Sequence, residues 1–158
     1  MKKLFLGFLL FLGACGFSPL YQKTQEVSGD VPVKVAPIPD QYGFAMYQVL
    51  QSKFGTPAET TYLLTVSAPS FSQWDQTIDE KNFTTMMGIS GKVSYKLTET
   101  TTQKVLLDSS TALTSSYSVV KDPYATTMAQ RKVEKELAEQ LAEQVSMHVL
   151  GTLAGVRD

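Results

Sequence analysis

The sequence predicts an α+β domain, a two-layer sandwich in which an about four-stranded mixed sheet carries two helices on one face. Three stretches carry that expectation. From Met87 to Thr98, Met87, Ile89, Gly91, Val93, Tyr95 and Leu97 share one parity, while Ser90, Lys92, Ser94, Lys96 and Thr98 share the other. A period of two is that of a half-buried strand. After Glu99-Thr100-Thr101-Thr102-Gln103, a second such run places Val105, Leu107, Leu113, Tyr117 and Val119 on one side, with Ser and Thr filling much of the other. The two runs read as an antiparallel hairpin, packed on one face and wet on the other. Finally, Val133, Leu137, Leu141, Val145, Val149 and Leu153 recur every four residues, widened by Ala129, Ala138 and Ala142. That stripe is wide enough for a helix lying on a sheet.

The remaining elements follow in chain order. Val31, Val33 and Val35 alternate with Pro32 and Lys34, which reads as a short strand that Pro32 pushes to a sheet edge. Asp40 can cap a helix starting at Gln41, with Phe44, Tyr47, Leu50 and Phe54 on one face. Gly43 weakens its first turn slightly, and Gly55 and Pro57 end it. Tyr62, Leu64, Val66 and Ala68 alternate as a strand until Pro69. Residues 70–82 fit either a loop or an irregular continuation of that strand. Their Phe71 and Trp74 read either as a loop tip folded onto the core or as a contact surface, since aromatics concentrate at interfaces. Asp122-Pro123 opens the last helix, with a capping side chain and then proline at the first helical position. Glu134, Lys135, Glu136, Glu139, Gln140, Glu143 and Gln144 are expected on its outward side. The order is β-α-β-β-β-α in a single domain spanning 31–158.

The first thirty residues have a different character. Lys2 and Lys3 precede the apolar run from Leu4 to Leu12, then Gly13, Ala14 and Cys15. Charged, apolar and small residues in that order form a secretory signal over 1–14. The alternative, a short transmembrane anchor, fails on length, because a span needs about 20 apolar residues. Leu12-Gly13-Ala14-Cys15 is similar to the bacterial lipobox, with cleavage before Cys15. The Cys15 thiol would accept a diacylglyceryl group and the new amino group a further acyl chain. Each buried CH₂ adds about 0.8 kcal/mol, so several chains anchor stably where one does not. Cys15 is the only cysteine, and lipidation explains an odd cysteine in an exported chain. Residues 15–30, with Gly16, Ser18, Pro19, Ser28 and Gly29, read as the lipidated N-terminus and its tether. Loss of 1–14 removes Lys2 and Lys3 from the fourteen basic residues and leaves twelve against fifteen acidic ones, a net charge of −3. A nucleic-acid binder would need a basic face instead.

Catalytic groups do not converge in the sequence. His148 is the only histidine and sits beside the apolar stripe of the last helix. With Cys15 acylated, neither a Cys–His pair nor a zinc site has its usual ligands. Asp75, Asp79 and Glu80 lack the glycine and closing glutamate of a calcium loop, and Lys81 beside them suits a solvated turn. No Gly-rich phosphate loop or G-x-S-x-G elbow occurs. The expectation is therefore no enzyme, no catalytic residue, no metal and no cofactor. A lipid-anchored hydrolase is the weakest alternative. The Ser/Thr face of the hairpin is either plain solvated sheet or a polar, weakly charged surface held inside a larger partner.

Cys15-Gly16-Phe17-Ser18-Pro19-Leu20-Tyr21 resembles the mature start of the LptE family of lipopolysaccharide-assembly lipoproteins, in its alphaproteobacterial form. The later layout is similar too, through Ser115 to Tyr117 and the opening Pro123 to Ala125 of a long Ala/Glu/Leu-rich helix. The resemblance implies a non-enzymatic outer-membrane lipoprotein on the periplasmic side. Such a protein sits partly inside the β-barrel LptD as a plug, helps it assemble and contacts lipopolysaccharide. It also implies a sheet with two helices on one face. The absence of an aspartate after Cys15 agrees with outer-membrane sorting. Related sequences often carry an arginine near the start of the first helix, whereas this one begins Asp40-Gln41-Tyr42-Gly43. No lipid-binding residue is therefore carried over. Lys92 and Lys96, on the polar parity of one strand, are the candidate phosphate contacts by charge-assisted bonding. The rival reading is an accessory lipoprotein of another envelope lipid-transport system.

Overall fold

A computed structural model describes residues 32–78, 80 and 83–156. The signal sequence, Leu12, Gly13, Ala14, Cys15, the tether and Asp79 lie outside the described residues. The elements are β1 (Val33–Val35), α1 (Gln41–Phe54), β2 (Tyr62–Val66), β3 (Ser70–Ile78), β4 (Thr84–Glu99), β5 (Val105–Ser118) and α2 (Pro123–Val156).

β4 organises the sheet. One of its edges pairs with β5 along almost its whole length, from Met86 opposite Ser118 to Thr98 opposite Val105. Its other edge takes β2 and β3 end to end. Val66 stands opposite Tyr95 and Ser70 opposite Lys92, both antiparallel. Three residues thus separate β2 from β3 where β4 has two. The surplus is taken up at Ser67, whose N–H donates to the Ser94 carbonyl (2.9 Å) and whose hydroxyl accepts from the Ser94 N–H (3.1 Å). β1 adds in parallel to β2, Val33 opposite Tyr62. Parallel neighbours need a crossover, and α1 is that crossover. Among the described residues the sheet holds five strands but is four wide, because β2 and β3 share one track. Residues 70–78 are thus a paired strand rather than a loop, which settles the open reading of 70–82 over that stretch.

The two described helices cover the same face. α1 is capped by Asp40, whose side chain accepts from the Gln41 N–H. It ends at Gly55, where φ is 69° and the N–H returns to the Gln51 carbonyl (2.8 Å). That left-handed turn is cheap only for glycine. Its buried residues are Gly43, Met46, Leu50 and Phe54, with Tyr47 half-buried. Phe44, expected in the buried stripe, is instead 57% exposed. The phase differs because Gly43 faces inward: a Cβ there would stand 2.7 Å from Ile38 Cγ2. Gly43 is required by close packing rather than being a weak point.

α2 runs for 34 residues, about 51 Å at 1.5 Å per residue. Asp122 Oδ1 accepts from the Tyr124 N–H (2.9 Å) and caps it. Leu137, Leu141, Val145, Val149 and Leu153 are buried, together with Ala138 and Ala142. The main core joins Leu50, Leu64, Val93, Leu97, Leu141 and Val145, and a smaller cluster joins Ile89, Tyr117 and Leu137 farther along. Each fully buried Leu or Val adds about 1.5–3 kcal/mol. Glu134, expected on the outward side, is buried to 9% exposure within this stripe.

Candidate functional site: the open face of the sheet

Alternation along β4 sends Ile89, Val93, Tyr95 and Leu97 under the helices and leaves Lys92, Ser94 and Lys96 exposed on the opposite face. No described helix covers that face. Pairing continues it sideways: Lys92 stands between Ser70 and Ala112, and Ser94 lies opposite Ser110. The result is a sheet face of serine, threonine and alanine with few charges.

Lys92 and Lys96 therefore share the open face, two strand repeats or about 13 Å apart. Their settings differ. Lys96 Nζ lies 3.1 Å from Asp108 Oδ2, with both side chains about half exposed or more. A pair that exposed contributes under about 1 kcal/mol. Lys92 has no ion pair among the described residues. Beside Lys96 and Asp108 a shallow depression of about 390 Å³ is lined by Thr65, Ser67 and Ser94.

Trp74 and Phe71 lie on opposite faces of β3. Phe71 turns toward the helices, edge-on to Tyr42 with ring centres 5.3 Å apart. Trp74 stands opposite Gly88, 43% exposed. A Cβ on Gly88 would come within 2.2 Å of the indole, so the ring lies over a glycine that makes room for it. Farther along, Ile78, Phe83, Met86, Val120 and Tyr124 are exposed near the same end of the sheet. The chain enters at the other end, where Val33, Tyr62 and Glu99 line up. The sixteen residues of β4 separate the two ends by about 50 Å.

The covered face holds a polar node that the sequence reading missed. The Tyr42 hydroxyl donates to Glu134 Oε2 (2.6 Å), and Gln130 Nε2 donates to Glu134 Oε1 (2.8 Å). The Tyr117 hydroxyl donates to Gln73 Oε1 (2.9 Å). Burial, then the bond to Glu134 and its charge, push the Tyr42 phenol up to about 12. Burial and the Glu134 charge raise Tyr117 as well. This node ties α1 to α2 and offers no free nucleophile. One signal was available: Glu134 stands four residues before Ala138 and seven before Leu141, on the apolar stripe itself.

The other candidates stay apart. His148 is exposed on the flank of α2, and its Nδ1 pairs with the hydroxyl of buried Tyr95. Asp75 accepts from the Thr84 hydroxyl (2.9 Å), and Glu80 is exposed. Among the described residues no three His, Cys, Asp or Glu side chains come together as a metal site. Among them, too, no helix is long and apolar enough to cross a membrane.

No family model matches the chain. An uncharacterized protein of Rickettsia prowazekii is 27% identical to it over 152 residues, covering 95% of this chain and 96% of that one. The crystal structure of rare lipoprotein B from Shewanella oneidensis matches 80% of this chain and 98% of its own, at 8% identity and a TM-score of 0.66. The solution structure of an uncharacterized lipoprotein B from Nitrosomonas europaea matches 77% and 83%, at 11% identity and a TM-score of 0.60. At such identities the likeness is one of fold: the two-helix, one-sheet arrangement is shared with bacterial lipoproteins.

Proposed function

We propose that this chain is an outer-membrane lipoprotein, held by acyl chains on Cys15 at the periplasmic face, that partners and plugs an LptD-like β-barrel. In this role it assists assembly of the translocon and insertion of lipopolysaccharide into the outer leaflet. The observation that carries the reading is the uncovered Ser/Thr face of β4 and β5 on a fold shared with rare lipoprotein B. A surface that is polar yet nearly uncharged suits a water-filled lumen, where a strongly charged one would bind ions and an apolar one would aggregate.

Two experiments test this. The tagged, lipidated protein is purified from detergent-solubilised membranes and its companions are identified by mass spectrometry. Stoichiometric recovery of the lipopolysaccharide-export barrel is expected. Recovery of an inner-membrane transporter instead would favour an accessory lipoprotein of another lipid-transport system. The second experiment concerns the lipid phosphates, for which Lys92 and Lys96 are the proposed contacts. Replacing both with alanine is expected to weaken binding of purified lipopolysaccharide, with the larger share from Lys92, which has no acid to release among the described residues. Unchanged binding removes both lysines from the proposal.

A further inference from the structure

Among the described residues the sheet has three lateral edges, and two of these are protected against pairing with another strand. β1 is three residues long, carries Lys34 and lies between Pro32 and Pro37. β3 follows Pro69 and breaks register twice, between Asp75 and Thr77 and between Thr77 and Ile78. Shortness, proline, lysine and bulges are the usual devices that stop edge-to-edge association. β5 uses almost none of them. Its one irregularity is near its start, and from Leu107 to Ser118 it runs in unbroken register against β4. It contains no proline, glycine or lysine, and its single charge is Asp108. Among the described residues, β5 pairs only with β4. Twelve residues of free edge extend for about 41 Å.

The polarity of that edge can be assigned residue by residue. The Val119 N–H donates to the Thr85 carbonyl (3.0 Å), which continues the register of Met86 with Ser118. In an antiparallel ladder the N–H groups alternate in direction. Leu113, Ser115 and Tyr117 therefore bond to β4, whereas Ser110, Ala112, Thr114 and Ser116 present their N–H and C=O groups outward. Their side chains are the small polar ones of the open face. The other parity, with Leu107, Leu113 and Tyr117, lies under α2 and is half-buried or buried.

We infer that β5 is a strand-addition surface, taking an extended segment of the β-barrel partner into the sheet through main-chain hydrogen bonds. The inference rests on the barrel reading above. The segment that fits has small polar residues on the parity flush with the open face and apolar residues on the parity that extends the Leu107–Leu113 row beneath α2. It is a loop or terminal extension of the barrel, because wall strands are already paired on both sides.

The test is hydrogen exchange on the full lipidated chain, alone and with the barrel that co-purifies with it. The amides of Ser110, Ala112, Thr114 and Ser116 are expected to slow by about tenfold or more in the complex, while those of Leu113, Ser115 and Tyr117, already bonded, do not change. A recovered complex without that alternation overturns strand addition and leaves the barrel reading standing. Failure to recover a barrel overturns both. The same alternation in the isolated protein, growing with concentration, assigns the edge to a second copy and also overturns the proposal. Variants give an independent reading. Ala112→Pro removes only an outward N–H, which free edges tolerate, and Thr114→Lys adds an edge charge without constraining the backbone. Both are expected to lose the barrel while melting as the parent does. Retention of the barrel by Thr114→Lys, and by Ala112→Pro if it folds, contradicts the inference.

Discussion

Ile89 and Lys92 stand three residues apart on β4 and belong to different surroundings. On the covered face, Ile89, Val93 and Leu97 have lost their water to α1 and α2. On the open face, Lys92, Ser94 and Lys96 keep theirs. One strand thus carries both the core of the domain and the open surface that we propose meets a partner. The difference assigns stability to one face and leaves the chemistry of the other free to be set by what it meets.

That division predicts a ranking of substitutions. Leu141→Ala on the covered side should cost about 2–5 kcal/mol, because the surrounding α2–sheet packing collapses only partly into the space. Ser94→Ala on the open face should stay within about 0.5 kcal/mol. Urea unfolding of both variants measures the contrast, and equal losses would break it. Gly88→Ala is the expected exception on the open face. Its Cβ would meet the Trp74 indole at 2.2 Å, and moving a packed ring costs about 1–3 kcal/mol. Adding Trp74→Ala should recover most of that loss in a double-mutant cycle.

Tyr42→Phe probes the polar node on the covered face. It leaves Glu134 with Gln130 as its remaining hydrogen-bond donor and should cost about 1–3 kcal/mol. It also has a pH signature. The Tyr42 phenol has an ordinary value of 10.0 and is pushed up to about 12 in the folded protein. Between those values the folded state holds a proton that the unfolded chain has lost. The stabilisation is therefore complete below pH 10 and disappears as the pH rises toward 12. The parent should lose stability over that window more steeply than Tyr42→Phe, as read by denaturant midpoints at stepped pH. Asp108→Asn should have a small effect. Its ion pair with Lys96 is exposed, so the loss should fall below about 1 kcal/mol and shrink further in salt.

The same two-sidedness decides what the sequence makes legible. β4 and α2 each bury one face strongly, and burial of one face is what periodicity records. β3 leaves almost every residue exposed and shifts register at Thr77, so neither a period of two nor one of 3.6 survives in its sequence. Asp40 and Gly55 mark both ends of α1 in the sequence, but its phase is hidden because its tightest contact is made by Gly43, a residue with no side chain to count. Charge alone places Glu134 outward. Its burial depends on Tyr42, ninety-two residues away, and no local pattern contains that partner. The open face was legible as polar, but the free edge of β5 follows only from knowing which strands lie beside it.

The central claim is that the open sheet face meets the barrel, and site-specific photo-crosslinking in intact cells tests it most directly. A photoreactive residue is placed at Ser94 or Ala112 on the open face, and at Glu143 on the exposed side of α2 as the comparison position. The account predicts adducts with the lipopolysaccharide-export barrel from both sheet positions. A protein that still co-purifies with the barrel, yet gives no adduct from Ser94 or Ala112 while Glu143 does, would contradict it.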